Sequence, residues 1–246
     1  MTQGISSDTH YCANKRPVYE ITDITKRVEW PDGSRHTVHR LRFVYKPEKD
    51  KDLEDLSFTQ KWPRVPQYGD LMGWVECRNN LGADAYSIFY VPYIGENAVI
   101  SGRRQVIREC TDIVMYGSAH VFGDARIHGW NVSIYGNALI GGNIDINASS
   151  EIFGNAKLLS RDGSLITVGA AVMVFENATV FARDYVAVTL GDHCRIYGNA
   201  SISASKGNKA GDEGCLYVTQ YSRLLGSASL CGRASKFSGT AVTGTF

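Results

Sequence analysis

Residues 134–158 read IYGNALIGGNIDINASSEIFGNAKL, and within them Ile134, Ile140, Ile146, Ile152 and Leu158 recur at intervals of six. An α-helix does not accommodate this stretch, because Gly and Asn at every sixth position would weaken every second turn. Strand geometry does. Alternate residues of a strand point to opposite faces, so each aliphatic residue and a small residue two positions earlier, such as Ala138 before Ile140 or Ala156 before Leu158, share the inward face. The small residue fits where the chain bends and a larger side chain would collide with its neighbours. Gly and Asn tolerate the unusual φ of the corner, and stacked Asn amides can bond from one turn to the next. Three such six-residue sides close a triangular coil.

The same phrase spreads outward in both directions. It occurs at Ile94–Ala98 with one extra residue, then at Tyr116, Tyr135, Phe153, Phe175, Tyr197 and Leu225, each followed by Gly or Glu, then Asn or Ser, then Ala. Met115, Val121 and Ile127, and then Val174, Val180 and Val186, keep the spacing of six. The polar stretches Ser160–Ser164 and Ser205–Gly214 interrupt it and are expected to project from corners. Beyond the second, Leu224, Leu230 and Val242 are expected to point inward, with Ala228, Ala234 and Thr240 in the small positions. The expectation is an all-β fold, a β-solenoid of about seven triangular coils over residues 93–246. Such fixed-period self-similarity is the signature of a repeat architecture.

Residues 1–92 form a second unit. Val18–Val28 and His36–Val44 flank Pro31-Asp32-Gly33, the pattern of a β-hairpin around a turn. Lys46–Asp55 is a mixed-charge run suited to a solvated loop. Gly69–Glu76 leads into the first coil. A solenoid end leaves strand edges and apolar core open, so the segment is expected to cap that end.

Twenty-six Lys and Arg balance 25 Asp and Glu, for a formal charge of +1. That leaves no basic footprint for neutralising phosphates, so direct nucleic-acid binding is not expected. The first residues lack the apolar core of a signal peptide and no apolar run reaches membrane-spanning length, so the expected location is cytoplasmic, away from membranes. Six cysteines without a C-x-x-C pair are expected to be reduced, and the sequons at Asn131, Asn147, Asn177 and Asn199 are read as by-products of the repeat.

Tyr19-Glu-Ile-Thr22, Gly69-Asp-Leu-Met-Gly-Trp-Val-Glu76, Asn80-Leu81 and the tandem Tyr-Gly-Asn-Ala phrases together resemble a group of hexapeptide-repeat proteins of bacterial genomes and prophages. Met72 stands where that group usually has Gly. The resemblance implies a single-stranded left-handed β-helix like that of the trimeric acyltransferase-like superfamily, and it suggests a trimer. It implies no particular activity.

Enzymes on that fold depend on His as base or metal ligand. His120 falls between an inward Ala and an inward Val, so it is expected outward, in a slot held elsewhere by Arg126, Leu139, Lys157, Thr179, Arg195 and Ser201, and hence on solvated surface. His128 and His193 lie too far off in the period to join it. His36 and His39 are expected to face opposite ways. Cys194, although next to His193, takes the small inward position and is expected to be structural. No catalytic, cofactor-binding or metal-ligating residue is therefore assigned and no cofactor is expected. The candidate interface is a column of aromatics, Tyr116, Tyr135, Phe153, Phe175 and Tyr197, stacked once per coil on the outside. Five exposed rings make a larger apolar stripe than a monomer usually leaves open. The expected function is a non-catalytic scaffold or protein-interaction solenoid of phage or prophage origin, homo-oligomeric or bound to a host protein. The alternative is a hexapeptide-type, acyl-CoA-dependent acyltransferase.

Overall fold

A computed structural model describes residues 18–45, 62–81, 92–102, 106–108, 113–205, 214–232 and 235–244. His10, Cys12, Cys110, Ala234, the run from Lys46 to Asp55 and residues 206–213 of the second projecting loop lie outside the described residues.

The chain winds through three sheets in rotation. Short strands such as Val132–Ile134, Leu139–Gly141 and Ile144–Ile146 each occupy one side of a turn, and each pairs in parallel with its equivalents in the turns before and after. The sheets hold ten, eight and seven strands. The seven strands of the smallest are separated by six steps, so the solenoid makes about six turns, slightly fewer than the coil count expected.

Ile134, Ile140, Ile146, Ile152 and Leu158 are fully buried along the axis, as are Ala119, Ala138, Ala156, Ala178 and Ala200 at the bends. Their registers align directly: Ile134 lies beside Ile152, and Ile140 beside Leu158. Aliphatics thus stack turn upon turn in a dry core. The Gly of the repeated phrase carries the corner. Gly117, Gly136, Gly154, Gly198 and Gly226 all have φ between 63° and 75°, and Glu176 adopts 59° at the equivalent site. The neighbouring Asn takes a different role. Asn137 donates to Asn155, Asn155 to Asn177 and Asn177 to Asn199, at 3.0, 3.0 and 3.1 Å.

Val242 departs from expectation. It is half-exposed, and Ala241 occupies the inward position beside Leu224. Seventeen residues, one fewer than the base period, separate Leu224 from Ala241, and a slip of one residue exchanges the two faces of a strand. Thr240 is correspondingly outward and exposed.

The N-terminal residues extend the ten-stranded sheet. Strands β1 (Tyr19–Glu29) and β2 (Arg35–Phe43) form the hairpin, antiparallel, and β3 (Leu71–Val75) pairs antiparallel with β2 and parallel with Val99–Ile100. Gly33, with φ of 83°, closes the turn, its N–H donating to Trp30. Tyr19, Leu41, Phe43, Met72 and Val75 join the solenoid core without a break. The Tyr19 hydroxyl donates to the Pro92 carbonyl at 2.7 Å, fixing the start of the hairpin to the first turn.

Candidate functional site

The aromatic column forms at the corner between the eight-stranded and ten-stranded sheets. Tyr116, Tyr135, Phe153, Phe175 and Tyr197 each follow a buried aliphatic and so point out of the core. Their centroids are 4.8 or 4.9 Å apart and successive planes deviate by 7° or less. This spacing is the strand separation itself, so the backbone ladder forces the rings into a face-to-face stack. The rings are half-buried rather than open, because each covers the face of the next and leaves its edge to solvent. Burial, reinforced by Glu96 and Glu151, raises the Tyr116 pKa, and burial with Glu151 raises that of Tyr135, so both phenols stay protonated as hydrogen-bond donors. The exposed Asn137, Asn155 and Asn177 amides run alongside. The site is therefore a ribbon of ring edges flanked by amides.

Beside it, the eight-stranded sheet presents one outward residue per turn. Tyr93 and Val114, in the first two turns, are buried, and the Trp62 ring lies 5.5 Å from that of Tyr93. From there on the column is open: Ser133, Glu151, Met173, Arg195, Arg223 and Thr240 follow in register. Among the described residues neither Arg195 nor Arg223 has an ion-pair partner, although they occupy adjacent positions.

A second site lies under the hairpin, where the sequence reading expected plain surface. His120 does point outward, but it is not solvated, because the hairpin folds back over it. The Trp30 indole stacks on the His36 ring with centroids 3.6 Å apart and lies 5.3 Å from the Phe122 ring. Its Nε1–H donates to Ser101 Oγ at 2.9 Å. The indole can only donate, so Ser101 accepts that bond, and its Oγ is also hydrogen-bonded to His120 Nε2 at 2.9 Å. Burial, with lesser contributions from Lys26 and His36, lowers the His120 pKa from 6.5 to about 4, which favours the neutral ring. His36 Nδ1 donates to Glu76 Oε1 at 3.0 Å, and Glu76 Oε2 accepts from the Gly102 N–H at 2.7 Å. The Trp74 ring is covered by Lys26 and Arg40, 4.4 and 4.8 Å from its centroid.

Ser101 and His120 have the spacing of a nucleophile and its base. The serine is fully buried beneath Trp30, however, so its hydroxyl meets no substrate in this arrangement. The adjoining pocket is small, about 120 Å³, and is lined by Trp30, Phe122, Gly141, Leu159 and Arg161 among others.

The remaining candidates stand apart. His128 Nε2 lies 3.6 Å from Asp145 on the seven-stranded sheet, and the exposed His193 stacks on Tyr221 at 4.9 Å. His36 and His39 do not meet: the first contacts Glu76, the second the Thr22 carbonyl. Cys194 is buried in the small inward position, its thiol donating to the Thr219 carbonyl at 2.9 Å, and burial raises its pKa. Among the described residues no group of three His, Cys, Asp or Glu side chains converges on a point, and no helix is long and apolar enough to cross a membrane.

The aromatic and amide columns were legible from spacing. The cluster under the hairpin was not, because Trp30, Glu76, Ser101 and His120 are brought together across up to 90 residues by the fold-back of a turn. The one local hint was Trp30 immediately before Pro-Asp-Gly, a large apolar residue at a hairpin tip that needs cover. The chain matches no family model, no curated protein and no solved structure among those compared, so its reading rests on its own residues.

Proposed function

We propose that this protein is a non-catalytic scaffold that makes protein contacts through the corner and face defined by its aromatic column. The observation that carries this reading is the unbroken stack from Tyr116 to Tyr197 beside an open sheet face whose arginines have no partner among the described residues. A ladder of aromatic edges offers a long, rigid contact surface at little entropic cost, since its rotamers are already held by stacking. The resemblance to hexapeptide-repeat proteins of bacterial genomes and prophages supports a left-handed winding and either self-association or a protein of the bacterial host as partner, and the want of an apolar signal-peptide core supports a cytoplasmic location. The near-zero net charge weighs against nucleic acid.

The test is site-specific photocrosslinking. With p-benzoylphenylalanine in place of Tyr135, Phe153 or Phe175, crosslinks to a protein, whether another copy or a different chain, are expected from this corner and not from Thr189 on the seven-stranded sheet. Crosslinks confined to the Thr189 control, or transfer of acetyl groups from acetyl-CoA by the pure protein, would overturn the proposal.

The hexapeptide-acyltransferase alternative has one observation in its favour, the Ser101–His120 pair. It requires the hairpin to lift and expose the pair. Acyl transfer that disappears in His120→Gln is the result it demands.

A further inference from the structure

Two observations on different residues single out one turn of the solenoid. The first concerns charge. Along the open column of the eight-stranded face, Met173 has Glu151 one step to one side and Arg195 one step to the other. The second concerns apolar surface. Leu225 and Val242 continue the aromatic column, each following an inward residue as the rings do, since the Leu225 N–H donates to the Ala241 carbonyl just as the Tyr197 N–H donates to that of Leu224. The complete column then runs from Tyr116 to Val242, and its midpoint is Phe175, two residues from Met173 in the same turn.

We infer that the eight-stranded face is the contact between two copies of this chain, related by a two-fold axis that runs along the strands through the Met173–Phe175 turn. Such an axis lays two solenoids face to face with their long axes opposed. It keeps each column opposite its own copy and reverses the order of turns. Met173 then meets the partner's Met173, Glu151 meets the partner's Arg195, and Phe175 meets the partner's Phe175. The partner's Glu151 also comes diagonal to Arg223, so one carboxylate serves two arginines that in a lone chain repel one another from adjacent positions. An isologous contact demands this self-complementarity. Shifting the axis by one turn in either direction loses it: an axis through Glu151 opposes the two Glu151 side chains, and one through Arg195 opposes the two Arg195 side chains. Met at the centre suits a seam where two flat surfaces adapt to each other.

This inference rests on the proposed contact role of the same corner and adds its occupant and geometry. Sedimentation velocity in reducing buffer, which excludes disulfides through the exposed Cys215 and Cys231, tests it. The wild-type chain is expected to sediment as a dimer. Arg195→Glu and Glu151→Arg each place like charges opposite at two symmetry-related positions, and each is expected to weaken the dimer by about tenfold or more. The double variant Glu151→Arg/Arg195→Glu restores opposite charges and is expected to return to within about threefold of wild type. Circular dichroism of the variants confirms the fold. A monomeric wild type, a trimer, single variants that leave the dimer intact, or a double variant as weak as the singles would each overturn the inference. A monomeric wild type that still crosslinks a different protein through Phe153 overturns the dimer while leaving the scaffold reading in place. Acetyl transfer by a dimeric protein does the reverse.

Discussion

At the scale of single residues, two neighbouring glycines show how closely the turns approach. A methyl group on Gly141 would stand 1.9 Å from the Phe122 ring, which lies across that position, whereas one on Gly142 would stand 1.9 Å from the backbone oxygen of Ser160. A ring tip can tilt, but a carbonyl in a parallel ladder cannot move without breaking the ladder, and Gly142 also has φ of 92°. Gly141→Ala is therefore expected to cost about 1–2 kcal/mol and Gly142→Ala clearly more, compared by urea midpoints. His120 supplies a pH dependence of defined sign. Its pKa is about 4 folded and 6.5 unfolded, so the unfolded chain takes up the proton first as the pH falls. Stability is unaffected by this group above pH 6.5, declines through the window from 6.5 to 4, and is lower by roughly 3 kcal/mol below it. Measured at pH 7 and pH 4.5, the difference in urea midpoint is expected to be larger for the wild type than for His120→Gln, which lacks the titration.

At the scale of elements, the hairpin and the ladders are stabilised differently. The hairpin tip is held by one large side chain. Trp30→Ala removes the stacking on His36, the contact with Phe122 and the bond to Ser101, and lets water reach His120. The His120 pKa is then expected to rise from about 4 toward 6.5, read from the imidazole proton shifts in an NMR titration. A variant that leaves the titration unchanged would show that the rest of the hairpin, not the indole, keeps the ring dry. The aromatic ladder is cooperative along the solenoid, and Phe153 lies between two rings. Phe153→Ala interrupts both stacks and is expected to cost about 2–3 kcal/mol in urea unfolding, while Tyr197→Ala, which ends the aromatic run and removes one, costs less.

At the scale of the whole molecule, stability is expected to be graded along the axis. In a solenoid each turn contacts only its neighbours, so an end turn is as secure as its cover. The N-terminal end carries β1–β3 and shares its core with them. The C-terminal end closes on the two-residue strand Thr240–Ala241, beyond which Val242 is half-exposed. Hydrogen exchange followed by mass spectrometry is expected to show the amides of residues 223–241 exchanging well before those of residues 132–158. Uniform protection along the rod would mean that it unfolds as one unit.

The sequence by itself determined the winding and most of the core, because a parallel solenoid writes its register into its period. Ile134, Ile140, Ile146 and Ile152 can be buried together in only one way, and the Asn and aromatic columns follow from the same count. Where the period slipped, at Ala241 and Val242, counting in sixes put the wrong residue inside, since one residue is enough to exchange the faces of a strand. What only the tertiary structure decided is the surroundings of the outward positions. Alternation says that His120 and Lys157 both leave the core, yet one is sealed under Trp30 and the other is open to water. That difference comes from where the hairpin turns back and lies down, and contacts between segments so distant in the chain leave no periodic trace in the sequence.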